Sequence, residues 1–327
     1  MMATLLEIKG VIKRYYTKYE TYIRPALKFI LALITFLLIN SKIGFMKSLS
    51  SPFIAVVLAA VCAALPLNGV VVFSGILMIA HAYALSLEAC AVTLAIIAVI
   101  YLLYFRISSK MAVLLIITPL CYYIGIPYVV PLLGGLLFGV GAAVPAGCGA
   151  VIYYLVDYMN RNSTSLGTGD LEGGAVKMVS LVEGVVTNKE MFLCVAAMVL
   201  TVVAVYFIRR LSIDHSWEIA IGIGIVLNIV IHLVGGLVTK AAVEIIPLLL
   251  GIIISALIAF VVKFFVFSVD YSRVERVQFE DDEYYYYVKA VPKNVIATPK
   301  KTVKKIITQK KQPKIIKRID GQNESKE

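Results

Sequence analysis

Residues Pro127–Met159 read PYVVPLLGGLLFGVGAAVPAGCGAVIYYLVDYM, 33 positions with no charge before Asp157. A helix that crosses a bilayer takes about 20 residues at about 1.5 Å each, so a single helix of this length would overshoot. Pro131 and Pro145 each remove a backbone donor, and Gly134, Gly135, Gly139, Gly141, Gly147 and Gly149 weaken helix continuity. The stretch therefore predicts two short helices folded back on each other, broken near Pro145.

Charge tests this reading independently, because short cytoplasmic loops collect Lys and Arg. One helix gives nine spans and puts Arg209, Arg210 and the lysine-rich C-terminal region opposite the basic N-terminal region. Two helices give ten spans, and Arg106, Lys110, Arg209, Arg210 and both termini then fall on the cytoplasmic side. The 157–190 loop, with five acids and three bases, moves outside, and only Lys42 and Lys47 go against the rule.

The rest of the chain agrees with lipid as its solvent. It is 60% hydrophobic and 16% charged, with a mean hydropathy of +0.90, which excludes an ordinary water-soluble domain of 327 residues. Apolar runs at 26–40, 52–66, 70–87, 90–105 and 111–125 precede the quoted stretch, and runs at 191–208, 219–238 and 245–269 follow it. Several are shorter than a perpendicular span needs, so tilt, local thinning or re-entrant geometry must make up the length. The expected fold is an all-α polytopic helical membrane bundle of about ten spans, with a small cytoplasmic β-hairpin and a disordered basic tail.

Within that plan, residues 1–25 form an amphipathic interfacial helix. Leu5, Ile8, Ile12, Tyr15, Tyr19 and Tyr22 recur at spacings of three and four, and Lys9, Lys13, Arg14 and Lys18 fill the other side. No cleavable leader is expected, because the basic, Tyr-rich start lacks a small-residue cleavage site. Residues 26–269 form the transmembrane domain. Pro52 and Pro66 stand 14 apart and so do Pro131 and Pro145, and each pair is followed by a Cys-led span ending in aromatics and base. This spacing points to a parallel four-span repeat, 26–105 and 111–208, with spans 219–238 and 245–269 added. In the 157–190 loop, Val176, Val179, Val182 and Val186 outline a short amphipathic helix on the outer surface or over the mouth between the seventh and eighth spans.

The most informative span is 219–238. Gly224, Asn228 and His232 follow at steps of four, and Gly235 and Thr239 continue the same face. A polar stripe in lipid is costly unless it faces protein or a hydrated cavity. Two roles are open to it: a cavity lining with His232 as a proton-responsive group, or glue between helices. His81 with Ser74 is a thinner case of the same kind, and Gly134, Gly135 and Pro145 in the broken segment are further candidate cavity lining. Lys263 is expected to snorkel to the inner end of the last span.

Catalytic patterns are weak. Gly167–Asp170, GTGD, has the form used by intramembrane aspartyl proteases, yet it lies in a polar loop without a second embedded Asp. There is no H-E-x-x-H and no phosphate loop, so any ATP-driven role needs a separate ATPase. Cys62, Cys90, Cys121, Cys148 and Cys194 all sit in apolar runs without C-x-x-C pairing or a His at ligand spacing, and read as small packing residues. No cofactor, metal site or enzymatic activity is expected.

After the last span, residues 270–292 alternate as two β-prone runs around Asp281 and Asp282, a hairpin. Residues 293–327 form a basic disordered tail, with ten Lys or Arg and no acid from Lys293 to Arg318. Lys300, Lys301, Lys304, Lys305, Lys310 and Lys311 are the candidate contacts to anionic lipid headgroups, in preference to an acidic partner or nucleic acid. The run VQFEDDEYYYYVKAVPK, residues 277–293, resembles a tail found in uncharacterised multi-pass membrane proteins of anaerobic Gram-positive bacteria, some of them labelled permease-like. That resemblance implies a bacterial cytoplasmic membrane. Together these features lead to a transporter or permease-like component for a small solute, with a membrane scaffold recruiting partners through its basic tail as the alternative. Oligomeric state is left open.

Overall fold

The break in the quoted stretch falls at Gly139. In the computed structural model of the chain, helix α6 (Val129–Leu133) passes into a π-helical turn (Gly134–Phe138), and the Gly139 amide donates to Gly134 O at 3.1 Å to close it. Gly139 then takes φ +100° and ψ −170°, a region open in practice to glycine alone. A 3₁₀ turn (Val140–Ala142) leads into α7 (Ala143–Arg161). Pro145 is not the break. It is the third residue of α7, where a missing amide leaves nothing unpaired because first-turn amides have no helical acceptor.

The structure describes residues 2–167, 174–240, 244–267, 275–280 and 285–290. The chain opens with α1 (Met2–Ile43), which is two helices joined across a kink at Tyr19, where φ is −115° and ψ 21°. Pro25 lies just beyond, and its ring crowds the Thr21 carbonyl. The kink falls six residues before the expected boundary at residue 25. Then come α2 (Pro52–Ala64), α3 (Leu67–Leu85), α4 (Leu87–Ile107) and α5 (Ala112–Ile124), the last carrying Pro119. Beyond α7 lie α8 (Ser163–Gly167), α9 (Gly174–Val186), α10 (Lys189–Arg209), α11 (Ser216–Thr239) and α12 (Ile245–Phe267).

Among the described residues, seven helices are long and apolar enough to cross a membrane; α2, α5 and the α6–π segment are apolar but shorter. The polarity of the molecule is inverted relative to a water-soluble fold. Leu237 is 81% exposed and Ile246 73%, while His81, Thr93, Thr118 and Thr201 are fully buried. Only an apolar solvent accepts that exterior, so the chain is a polytopic membrane protein. At the centre is α7, 56% buried over its span window against at most 39% for any other. It packs mainly on α5 and α10 and also meets α1, α4 and α9.

Contacts between helix ends set the directions. Lys28 Nζ donates to Leu65 O at 3.0 Å, bringing the end of α2 to the level of Lys28 in α1. Tyr104 Oη, near the end of α4, donates to Asn68 Oδ1 at the start of α3 at 2.6 Å. Ser108 Oγ donates to Gly141 O at 2.6 Å, which pins the turn before α7 beside the end of α4. Lys42, near the end of α1, stands over the Tyr123 ring at the end of α5.

The α9 helix is apolar on more than one side. Leu181 and Val185 are inside, whereas Val179, Val182 and Val186 are exposed. It packs on α4 and α7 rather than over α7 and α10 alone; Gly184 admits the Tyr158 ring, and Tyr158 Oη donates to Ser180 O at 2.9 Å. Lys263 pairs with Glu218 in the first turn of α11. Separately, strands β1 (Glu275–Glu280) and β2 (Tyr285–Ala290) pair antiparallel, Glu275 opposite Ala290 and Glu280 opposite Tyr285. The lysine-rich segment from Lys293 onward, with Lys300, Lys301, Lys304, Lys305, Lys310 and Lys311, lies outside the described residues, as does the acidic turn 281–284.

Candidate functional site

The polar stripe of α11 faces α10 and α6. A Cβ on Gly224 would lie 2.6 Å from Leu132 Cδ2 and 2.7 Å from Val205 Cγ2, so glycine is what lets the three elements close at this level. One turn on, Asn228 is 1% exposed. Its amide nitrogen donates to Thr201 Oγ1 on α10 at 3.0 Å and to Gly224 O at 2.9 Å. Its carbonyl oxygen, Oδ1, is buried with no hydrogen-bond partner. Ser255 Oγ, on α12, is buried and unpartnered too, and both α11 and α12 pack on α6.

A further turn along, His232 is 5% exposed. Its Nδ1 lies 2.9 Å from Asn228 O, which can only accept, so in the neutral ring Nδ1 carries the hydrogen and Nε2 is left as an acceptor. Cys194 Sγ on α10 is 3.8 Å from Nε2, within reach of a thiol donor, and Tyr154 Oη on α7 is 3.2 Å from the same sulfur. The donors then run in one direction: the Tyr154 hydroxyl to Cys194, the thiol to His232, and His232 to the backbone of Asn228. Tyr128, just before α6, sets its ring edge-on to His232 with centroids 5.2 Å apart, and Tyr122 on α5 approaches Tyr154 at 6.0 Å. Five elements thus meet at one buried polar cluster beside the interrupted helix.

The other predicted residues lie apart from it. His81, fully buried on α3, receives the Met46 amide at Nδ1 (3.2 Å) and faces Asn40 Oδ1 with Nε2 (3.0 Å). Asn40 in turn donates to Leu49 O at 3.3 Å, so this set clamps the connection between α1 and α2. Ser74 Oγ donates to Val71 O, a bond within its own helix. Thr239 Oγ1 likewise donates to Gly235 O at 2.7 Å, while Gly235 admits the Leu193 side chain. Gly134 and Gly135 line the contact with α10, a Cβ on Gly135 falling 2.7 Å from Val205 Cβ. Pro145 is buried in the first turn of α7.

Two cavities lie elsewhere. One of about 50 Å³ sits among α1, α3, α4, α5 and α7, bordered by Thr35, Ser74 and Tyr101. A groove of about 520 Å³ lies between α4 and α10 with α7 as its floor. None of the candidate cavity-lining residues Gly224, Asn228, His232, Thr239, His81, Gly134, Gly135 and Pro145 lines either one, while Ser74 borders the first and Gly147, Cys148 and Val186 the second. Cys194, Tyr154, Tyr128 and Thr201 join the cluster without having been singled out. Cys194 and Thr201 do stand seven apart on an otherwise apolar helix, the spacing of one face, and that was the available signal. Among the described residues no group of His, Cys, Asp or Glu is built to hold a metal ion. No protein-family model matches the chain, and neither a curated protein nor a solved structure matches it significantly.

Proposed function

We propose that the chain is a transporter or permease-like component of a bacterial cytoplasmic membrane, moving a small solute by rearrangement of the interrupted helix α6 against α10, α11 and α12. The observation that carries this is Gly139, where a helix inside the bundle changes from α to π, breaks at positive φ and restarts as 3₁₀ beside a buried polar cluster. Backbone of this kind inside a membrane is tolerated where it faces protein or lines a pathway, and it supplies a hinge.

Ten passes support the reading. The α6–π segment covers only about 15 Å at about 1.5 Å per residue, half of a hydrocarbon core of about 30 Å. The chain nevertheless goes from the end of α5, beside Lys42, to Gly141, beside Ser108 at the end of α4. The short helix, the break and the flanking turns together make the crossing. With that pass counted, both termini are cytoplasmic and the 157–190 loop is outside. A four-span repeat also gains support from matching parts. Both α3 and α7 have 19 residues and both α4 and α10 have 21. The Ser86 and Asn188 side chains cap α4 and α10 by accepting from the amides of Ala89 and Met191, with Glu88 and Glu190 in the first turns.

Energy comes from an ion gradient or from a separate ATPase, and the chain has no catalytic role of its own. The scaffold reading keeps one specific support: Ile8, Ile12, Tyr15 and Tyr22 on α1 are exposed and available to a membrane surface or partner. Flux screening of solutes and ions in proteoliposomes separates the two. Flux above empty liposomes supports transport; a folded, reconstituted protein inert across the panel leaves the scaffold.

A further inference from the structure

The groove between α4 and α10 is unlike the rest of the lipid-facing surface. Its floor is the α7 face carrying Ala143, Gly147 and Val151, its walls include Val99 on α4 and Val195 on α10, and α9 stops one end with Val185. Every residue lining it is apolar or a glycine or cysteine. An occupant therefore has to be hydrocarbon along its whole length, because an unmatched polar group here would stay unpaired. Its volume of about 520 Å³ falls within the range of about 300–1,000 Å³ seen for small-ligand sites. The floor is recessed: Ala143 is 7% exposed, and Gly147 is buried.

The two ends differ in charge. Ser108 meets Gly141 just before the floor begins, and Gly139 stands beside the Tyr206 ring, so the last turns of α4 and α10 share the end away from α9. Exposed Arg106 and Lys110 belong to that end, as does Arg210, whose Nη1 donates to Tyr206 Oη at 2.6 Å. Neither Arg106 nor Lys110 makes an ion pair among the described residues. The opposite end, where α9 closes the groove, carries Glu88, Glu183 and Glu190 with Lys189 beside them. Apolar walls, an end stopped by valine and cations at the open end together describe a lipid held head-first toward the arginines.

We infer that this groove is a binding site for one hydrocarbon chain of an anionic phospholipid from the surrounding bilayer, its phosphate lying against Arg106 and Arg210. The inference needs only the membrane-spanning helices, not the transport reading, so a protein without flux would leave it standing.

The full chain, reconstituted with phosphatidylglycerol carrying a photoreactive group in its acyl chain, provides the test, with phosphatidylcholine of the same chain as control. Labelled peptides should concentrate on the groove faces of α4, α7 and α10, and phosphatidylglycerol should label more than phosphatidylcholine. Ala95→Phe, placed on an exposed lining residue, should abolish groove labelling without lowering thermal stability. Gly147→Leu is the second filling variant, since a Cβ there meets Val195 and Val199 at ordinary contact distances of 3.4 and 3.6 Å. Arg106→Gln or Arg210→Gln should reduce the phosphatidylglycerol preference about fivefold, the factor one base beside anionic headgroups supplies. Labelling spread evenly over exposed positions such as Leu237 and Ile246, or equal for both lipids, would overturn the proposal. So would cross-linked dimers through Val99 and Val195, which would mean a second copy fills the groove.

Discussion

The Asn228 side-chain amide donates to Thr201 Oγ1 at 3.0 Å, joining α11 to α10 one turn from the Cys194–His232 contact. Interhelical hydrogen bonds of this type contribute about 0.6 kcal/mol and at most about 1.7 kcal/mol in membrane proteins. Asn228→Ala and Thr201→Val should each lower stability in detergent by about that amount. The double variant should lose little more than either single one, because both remove the same bond. Additive losses in a thermal-unfolding cycle would show that the pair does not interact.

His232 tests whether the cluster has a role beyond cohesion. His232→Ala should change flux or its pH profile while the protein remains inserted and folded, since it removes the acceptor at the end of the Tyr154–Cys194 chain. Cys194→Ala should shift the same profile, because it interrupts that chain one step earlier. A loss of stability with unaltered flux and pH profile would reduce the cluster to helix packing.

Glycines on one helix should separate sharply. Gly224→Ala forces a Cβ against Leu132 and Val205, an overpacking that costs about 1–3 kcal/mol. Gly222→Ala meets no atom within 4 Å and should be neutral or stabilising by up to about 1 kcal/mol. Equal melting temperatures for the two variants would contradict the α6–α10–α11 contact.

Much of this arrangement was legible in the sequence. Hydropathy locates the seven described helices that are long and apolar enough to cross a membrane, and the 33-residue limit anticipates an interruption inside Pro127–Met159. The position of the break was not, because proline and glycine were weighed alike. A proline in a first turn disturbs nothing, as Pro145 illustrates, whereas a positive φ requires glycine, and Gly139 supplies it. The partner of Lys263 was not legible, because Glu218 lies 45 residues away and no local pattern links them. Cys194 was invisible as a hydrogen-bonding residue, since its partners Tyr154 and His232 come from two other helices.

The proposed ten passes fix a membrane sidedness that labelling can test. Single cysteines at Ser165 and Lys311, in a background whose five native cysteines are replaced, should react with an impermeant thiol reagent from opposite sides. Labelling of both from one side would remove a pass and, with it, the fold-back at Gly139.

A peptide covering residues 293–319 should bind anionic vesicles, ignore neutral ones and release as salt rises, because its ten bases act within a Debye length of about 8 Å. Equal binding to neutral vesicles would mean that Ile306, Ile307, Ile315 and Ile316 drive insertion. Binding to neither would point to an acidic partner.

The central claim is that the chain carries solute by moving α6 about Gly139, and a reversible lock across that residue tests it most directly. A Cβ on Gly134 would lie 3.3 Å from Ala142 Cβ, close to the separation of about 3.5–4.5 Å that a disulfide spans. Gly134→Cys with Ala142→Cys, reconstituted in proteoliposomes, should carry solute when reduced, stop when oxidised and recover when reduced again. Equal flux in both states, with the disulfide verified by mass, would contradict the account.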